Sequence, residues 1–394
     1  MKIKGFLQDV GGADRVTSLR RETINNASAT PDPKDHIREI SDRVHPGKKT
    51  YVVKEIRDAS PSSKTYRLSP KDGIAPVFMA GQYMVIHRNI GQSVLTRAYS
   101  ISSAPYEALS ENGYIEFTVR KNRPYLVPDH LEKNLSVGDE IEVDLPFSDF
   151  FYQPLRDSKN VVALAGGSGI TPFVSMAKEV AAGKLDINLT ILYGSVKHND
   201  IVCGDELSAA EKKADGKIKV INIMSDDPEW TGEKGFLSKE IIKKYSGEDP
   251  TYFFCGPRPM YELISGILKD MGVPGKRLRY EAMQQPGDAS QIPGFPTENI
   301  GKTCHITVVR GISETTIEAR MDEPVAVSLE RAGIPVDCHC RAGECGYCRA
   351  KLLSGDIFVS PFGDGRRRED KEMGWFHSCS SYPKNDLRIK VPII

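Results

Sequence analysis

Hydrophobic positions change rhythm along the chain, and each change predicts a different kind of element. Between Pro33 and Val44, Ile37, Ile40 and Val44 recur at helical spacing behind a polar run holding Asn25, Asn26, Ser28, Thr30 and Pro31. This predicts an N-terminal extension over residues 1–48 with one helix, packed as a surface arm or used to dock a partner. From Tyr51 to Phe151 the apolar positions gather into short β-type runs, among them Tyr51 to Val53, Tyr83 to Ile86, Tyr114 to Val119 and Ile141 to Val143, divided by Gly, Pro and Ser turns. That rhythm suits a small antiparallel barrel over residues 49–155. Over residues 156–283, apolar strands (Val161 to Ala165, Leu189 to Tyr193, Ile218 to Ile223, Tyr252 to Phe254) alternate with amphipathic helices, the mark of an α/β parallel sheet covered by helices. Residues 284–297 have linker composition. Beyond them, Cys304 to Val309 and Thr315 to Ala319 predict a hairpin and Pro324 to Gly333 a helix with proline at its start and glycine at its stop. Residues 298–394 are thus expected to form a third, α+β domain.

With 394 residues the chain is long enough for two to four domains, each with its own core. Basic and acidic residues balance at 53 each, so no overall field favours nucleic acid or an anionic membrane. No apolar run approaches the roughly 20 residues that span a bilayer. The opening Met1 to Phe6 is interrupted too soon by Asp9 and Asp14 to read as a signal peptide.

Cysteine usage carries the strongest chemical signal. Four of the eight cysteines fall within the twelve residues Asp337 to Cys348, and Cys340, Cys345 and Cys348 keep a C-x4-C-x2-C spacing with Cys379 downstream. This is the ligand pattern of a plant-type 2Fe-2S cluster. Gly343 and Gly346 permit the tight curl such a loop needs. Zinc more often takes two short cysteine pairs, and a disulfide framework suits smaller, secreted chains. Cys338 exceeds the pattern and reads as a small, partly buried thiol. Thiols that must stay reduced to hold iron favour the cytoplasm.

On a barrel strand, Arg97-Ala98-Tyr99-Ser100, with Gly81-Gln82-Tyr83 upstream, resembles the flavin-binding motif of the ferredoxin-NADP reductase superfamily. The chemistry fits: an arginine grips a phosphate in a bidentate fork, a tyrosine ring covers the isoalloxazine, and a serine hydroxyl reaches flavin N5. FAD-using members open a helix with a Gly-x-x-Ser turn, where this chain has Tyr125-Leu126-Val127-Pro128. Phosphate contacts would then rest on the N–H groups of Asp129 to Leu131 and on Arg123. FAD is the expected flavin, with FMN as the alternative.

After the first strand of the α/β region comes Gly166-Gly167-Ser168-Gly169-Ile170-Thr171-Pro172, a turn whose glycines let backbone approach a pyrophosphate at a helix N-terminus. Cys255-Gly256-Pro257, Trp230 to Gly235 and Tyr280-Glu281 match the pyridine-nucleotide half of the same superfamily. Beyond the second strand, Asp200 points to NADH, while Ser195 and Lys197 could serve NADPH. NADH is the expected donor.

The resemblance runs from near Tyr51 to the end of the chain, in the order flavin, nucleotide, iron–sulfur. Hairpin, helix and cysteine loop follow one another as in a plant-type ferredoxin, a β-grasp fold, although residues 298–394 hold 14 basic and 14 acidic residues where free plant ferredoxins are acidic. It implies a single-chain NAD(P)H-dependent oxidoreductase that feeds a terminal oxygenase or another electron-accepting metalloenzyme. Ser100, Cys255 and Glu281 are placed around the nicotinamide and N5 by the same resemblance. A redox sensor or regulatory carrier with little turnover is the alternative.

Overall fold

The computed structural model describes residues 6–27, 35–44, 46–121, 126–281 and 285–393. It divides into two compact units, Met1–Ser41 and Asp42–Ile394. The first holds α1 (Phe6–Asn26) and most of α2 (His36–Val44). The second of these is the predicted helix; α1 was not foreseen, because its apolar residues are sparse and Val16, Leu19 and Ile24 are each more than half exposed.

In the second unit, β1 (Gly47–Ser60), β2 (Ser63–Pro70), β3 (Tyr83–Ile90), β4 (Ser93–Ser100), β5 (Ile115–Arg120) and β6 (Glu140–Phe147) form an antiparallel sheet in the order β4-β3-β6-β1-β2-β5. An antiparallel bridge from Ile101 to Phe117 joins its two edges and closes the barrel. Closure removes the unpaired edges that would otherwise seek another strand. Inward-facing Tyr51, Val53, Tyr66, Leu68, Met84, Ile86 and Phe117 fill the interior. After the short α3 (Pro105–Ala108), α4 (Leu126–Asn134) packs Val127 and Leu131 against that core.

The next six strands, β7 (Asn160–Gly166), β8 (Asn188–Ser195), β9 (Ile218–Met224), β10 (Glu233–Lys234), β11 (Thr251–Cys255) and β12 (Leu278–Tyr280), are all parallel and ordered β10-β9-β8-β7-β11-β12. Helices α5 (Thr171–Ala181) and α6 (Gly204–Lys213) pack on one face and α7 (Lys239–Tyr245) and α8 (Arg258–Asp270) on the other, giving separate apolar layers. Residues 161–166 of β7 are accordingly buried throughout, as a strand covered on both faces requires. The strand order reverses between β7 and β11. In such sheets the crevice beyond the strand ends at that point receives the ligand.

The last region folds β13 (Thr303–Arg310), β14 (Ser313–Arg320), α9 (Val325–Arg331), β15 (Arg349–Ser354), β16 (Ile357–Val359), α10 (Arg368–Glu372), β17 (Trp375–His377), β18 (Ser381–Pro383) and β19 (Leu387–Lys390). Its main sheet runs β14-β13-β19-β15-β17 and is mixed, with β13 and β19 parallel. Pro324 precedes α9 and Gly333, at φ +73°, follows it, the expected punctuation of that helix. The segment read as a linker is partly structural: Ala289, Ile292 and Phe295 are buried and pack with Tyr382 in a small core of their own. Three apolar residues scattered among turn formers carry no period to betray this.

Barrel and parallel sheet are joined by buried charge. Glu116, only 1% exposed, accepts two hydrogen bonds from Arg57 (2.6 and 3.0 Å), one from Arg67 (2.9 Å) and one from Lys178 of α5 (3.3 Å). Burial alone would raise this carboxyl, but those three cations overcome it and bring it down to about 2.

Candidate redox centres

The turn after β7 and the turn after β11 meet beyond neighbouring strand ends, since Ala165 and Cys255 are register partners. Their contact explains the glycines more fully than phosphate binding alone. A Cβ on Gly169 would fall against the Cys255 carbonyl and lie 2.6 Å from Gly256 N; one on Gly166 would lie 2.5 Å from Met260 Sδ and 3.0 Å from Pro257 Cδ. Both glycines let two loops press together into one floor. Gly167 takes φ +54°, and its carbonyl accepts from Tyr193 Oη at 2.9 Å. Thr171, at the start of α5, donates its hydroxyl to Ser168 O at 3.1 Å and fixes the turn.

At the rim of that floor, three residues from separate elements converge. Glu281 Oε2 accepts from Ser100 Oγ of β4 at 3.3 Å and from Cys255 Sγ of β11 at 3.4 Å, while Tyr261 Oη donates to the Glu281 carbonyl at 2.9 Å. Burial pushes the Glu281 carboxyl up to about 7, against the pull of the Cys255 and Ser100 hydrogen bonds. Its ordinary value is 4.5. A carboxyl raised in this way stabilises the fold fully below its unfolded value, and that contribution is lost as pH climbs through about 7. Glu281→Gln is therefore expected to raise unfolding stability at pH 8 by up to about 3 kcal/mol and to change little at pH 4.5. Denaturant melts at the two pH values measure this, and equal gains at both would contradict it.

Asp200 does not stand free beside a ribose. It ends a 3-10 turn after β8, where its carboxylate accepts from Ser60 Oγ (2.6 Å), Ser62 N (3.1 Å), Ser62 Oγ (2.7 and 2.8 Å) and Arg120 (2.5 Å), all from the barrel. Burial would raise this carboxyl, but the two hydroxyls and Arg120 prevail and hold it below its ordinary range. Asp200 thus latches the two domains together. Just beyond β9, Asp226 is exposed, and its N–H donates to Val196 O at 3.1 Å.

On β4, Tyr99 packs beside Phe117 with ring centroids 5.2 Å apart. Arg97 donates to Thr96 O at 2.7 Å and lies 3.9 Å from Glu330 Oε2 of α9. Burial, and after it neighbouring Arg341, draws the Arg97 guanidinium down to about 10, which leaves it charged. Arg123 lies outside the described residues. A cleft of about 900 Å³ opens where the barrel meets the nucleotide domain, lined by Ser60, Ser62, Lys64, Lys121 and Pro128 on one side and His198, Asn199 and Asp205 on the other.

The cysteine loop lies between α9 and β15, and Cys379 sits in a 3-10 turn after β17. Gly343 takes φ +86°, and a Cβ there would strike the Gly363 carbonyl and lie 2.8 Å from Ser380 Cβ. Ala342 N and Cys345 N point at Cys340 Sγ, at 3.3 and 3.5 Å. Thiol contacts link Cys340 to Cys345 and Cys379, and Cys348 to Cys338 and Cys379. Neighbouring thiols, with two backbone N–H groups turned to Cys340 Sγ, suit a 2Fe-2S cluster held by four thiolates. Cys338, read as partly buried, is fully buried, and its Sγ lies within 4.8 Å of those of Cys348 and Cys379.

Sequence reasoning missed what joins this loop to the flavin barrel. Thr96 Oγ1 donates to the Cys338 carbonyl at 2.5 Å, and Arg341 Nε donates to Thr96 O at 3.0 Å while its guanidinium pairs with buried Glu330. Beside them, Phe147 at the end of β6 packs on His339 (centroids 4.2 Å), which stacks on Tyr347 (4.0 Å). The cluster loop therefore rests on the residue preceding Arg97 in the flavin motif. Only the adjacency of Thr96 to that motif could have signalled it.

Family models agree with this division. An oxidoreductase FAD-binding domain matches residues 50–152, an oxidoreductase NAD-binding domain residues 163–265, and a 2Fe-2S iron-sulfur cluster binding domain residues 308–384. The glycine betaine monooxygenase reductase subunit of Chromohalobacter salexigens is 25% identical over 352 residues, covering 86% of this chain and 93% of that protein. Its Pseudomonas aeruginosa counterpart is 24% identical with the same coverage. The solved structure of a phthalate dioxygenase reductase, at 20% identity, shares the fold with a TM-score of 0.63 over 88% of this chain and 98% of that one. FAD-binding, NAD-binding and 2Fe-2S domains in this order make the chain a flavin and iron–sulfur oxidoreductase, similar over most of its length to oxygenase reductase components.

Proposed function

We propose that this chain takes a hydride from NADH at the Ser100, Cys255 and Glu281 site and releases single electrons through the 2Fe-2S domain to a terminal oxygenase or another metalloenzyme. The observation that carries the reading is the adjacency of the two centres: Arg341 and Cys338 of the cluster loop bond to Thr96, next to the flavin motif on the same strand. When bound, the flavin supplies the conversion of a two-electron hydride into single electrons that an iron–sulfur cluster accepts one at a time. The protein's part is to orient. Gly166, Gly167, Gly169, Thr171 and Cys255 to Pro257 shape the floor for the dinucleotide, Tyr99 offers its ring to the flavin and Arg97 its guanidinium to the phosphate. Cys340, Cys345, Cys348 and Cys379 hold the irons. The cleft beside α4, with Lys64, Lys121 and Pro128 on its wall, supports FAD over FMN, because a second phosphate and an adenosine need such a place. NADH preference rests on the exposed carboxylate of Asp226 instead of on Asp200, since a free ribose diol is met by a carboxylate.

No helix among the described residues is long and apolar enough to cross a membrane. A cytoplasmic site of action is proposed from the need for reduced thiols.

Steady-state oxidation of NADH with ferricyanide tests the activity: a reductase turns over many times without its partner, and a sensor does not. Arg97→Ala is expected to weaken flavin binding by about 1.5 to 3 kcal/mol, the scale of a charge-assisted hydrogen bond. Retention of flavin after dialysis, equal to that of the wild type, would argue that Arg97 serves only the pairing with Glu330.

A further inference from the structure

The thiol of Cys338 is one more than a 2Fe-2S cluster requires, and its position is not that of a bystander. Its Sγ lies within 4.8 Å of both Cys348 Sγ and Cys379 Sγ. It is fully buried in the same apolar cluster as both. Its backbone is anchored from outside the loop, by the Thr96 hydroxyl on its carbonyl, so loss of a neighbouring ligand need not release it.

We propose that Cys338 is a reserve ligand: where Cys348 or Cys379 is lost as a cluster ligand, the Cys338 thiol would give up its proton to water and its sulfur would form the missing Fe–S bond. No electron changes hands, and the charge of the ligand set is unchanged. Cys345 is exposed and lies outside that group of three thiols, so it has no such substitute. The inference rests on the cluster reading of this domain.

The experiment compares full-length Cys348→Ala, Cys345→Ala and the double variant Cys338→Ala/Cys348→Ala, purified anaerobically. Iron and sulfide per flavin are measured, with the electron paramagnetic resonance spectrum after dithionite reduction. Cys348→Ala is expected to keep most of its iron with shifted g-values, and the double variant and Cys345→Ala to lose it. Wild type with two irons beside a Cys348→Ala protein as empty as the double variant would overturn the proposal. Wild type without iron would overturn the cluster reading itself, and the proposal with it. If Cys348→Ala does not accumulate as folded protein, Cys348→Ser is compared with Cys338→Ala/Cys348→Ser, since a serine oxygen can hold iron in both. Different spectra support ligation by Cys338, and identical spectra overturn it.

Discussion

Cys345→Ala is expected to yield a protein that keeps its flavin, still oxidises NADH with ferricyanide and transfers nothing through the iron–sulfur domain. The flavin barrel and the cysteine domain have separate cores, the one centred on Tyr66, Met84 and Phe117, the other on Ile306, Leu329 and Phe376. With Cys345 as one of the four proposed thiolates, its removal leaves an iron under-coordinated, and Cys345 lies outside the group of thiols that Cys338 joins. Ferricyanide accepts electrons from the flavin directly, so its reduction survives. The iron-to-flavin ratio, the ferricyanide rate and the rate with the metalloenzyme partner separate these effects. A variant that reduces its partner at the wild-type rate would show that electrons leave by another door.

Gly169→Ala is expected to lower kcat/KM for NADH by on the order of 100-fold, the penalty for moving reacting groups by about 1 Å. The reason is steric. Its Cβ would strike the Cys255 carbonyl and Gly256 N, both main-chain atoms that cannot swing aside. Either the glycine turn or the Cys255 loop must move, and with it the hydrogen-bonded Cys255 and Glu281 pair at the proposed hydride site. Stopped-flow reduction of the bound flavin by NADH reads the effect without the partner. A rate within about threefold of wild type would mean that the two loops yield without disturbing the site, contrary to the close packing on which the argument stands.

Local patterns were legible wherever the residues answer to their own strand or turn. Val161 to Ala165 reads as a covered parallel strand because both its faces are buried; the spacing of Cys340, Cys345 and Cys348 reads as a 2Fe-2S domain, as the family model over residues 308–384 has it. Long-range partners were not. Asp200 sits where a ribose carboxylate would be sought, yet it is claimed by Ser60, Ser62 and Arg120, some 80 to 140 residues earlier. Cys338 looked surplus because spacing does not reveal that its side chain turns inward to Cys348 and Cys379. Ala289, Ile292 and Phe295 looked like linker because their cover, Tyr382, comes from the far end of the domain. The Thr96 contacts that bring cluster and flavin motif together span 242 and 245 residues, beyond the reach of any periodicity.

Anaerobic titration of the purified full-length protein with NADH, followed by visible absorption and electron paramagnetic resonance, tests the central claim most directly. One flavin and two irons per chain are expected, with bleaching of the flavin band by NADH and the appearance of a reduced 2Fe-2S signal as electrons cross from the barrel to the cysteine domain. Bleached flavin beside a cluster that dithionite reduces but NADH does not, or zinc in place of iron, would contradict it.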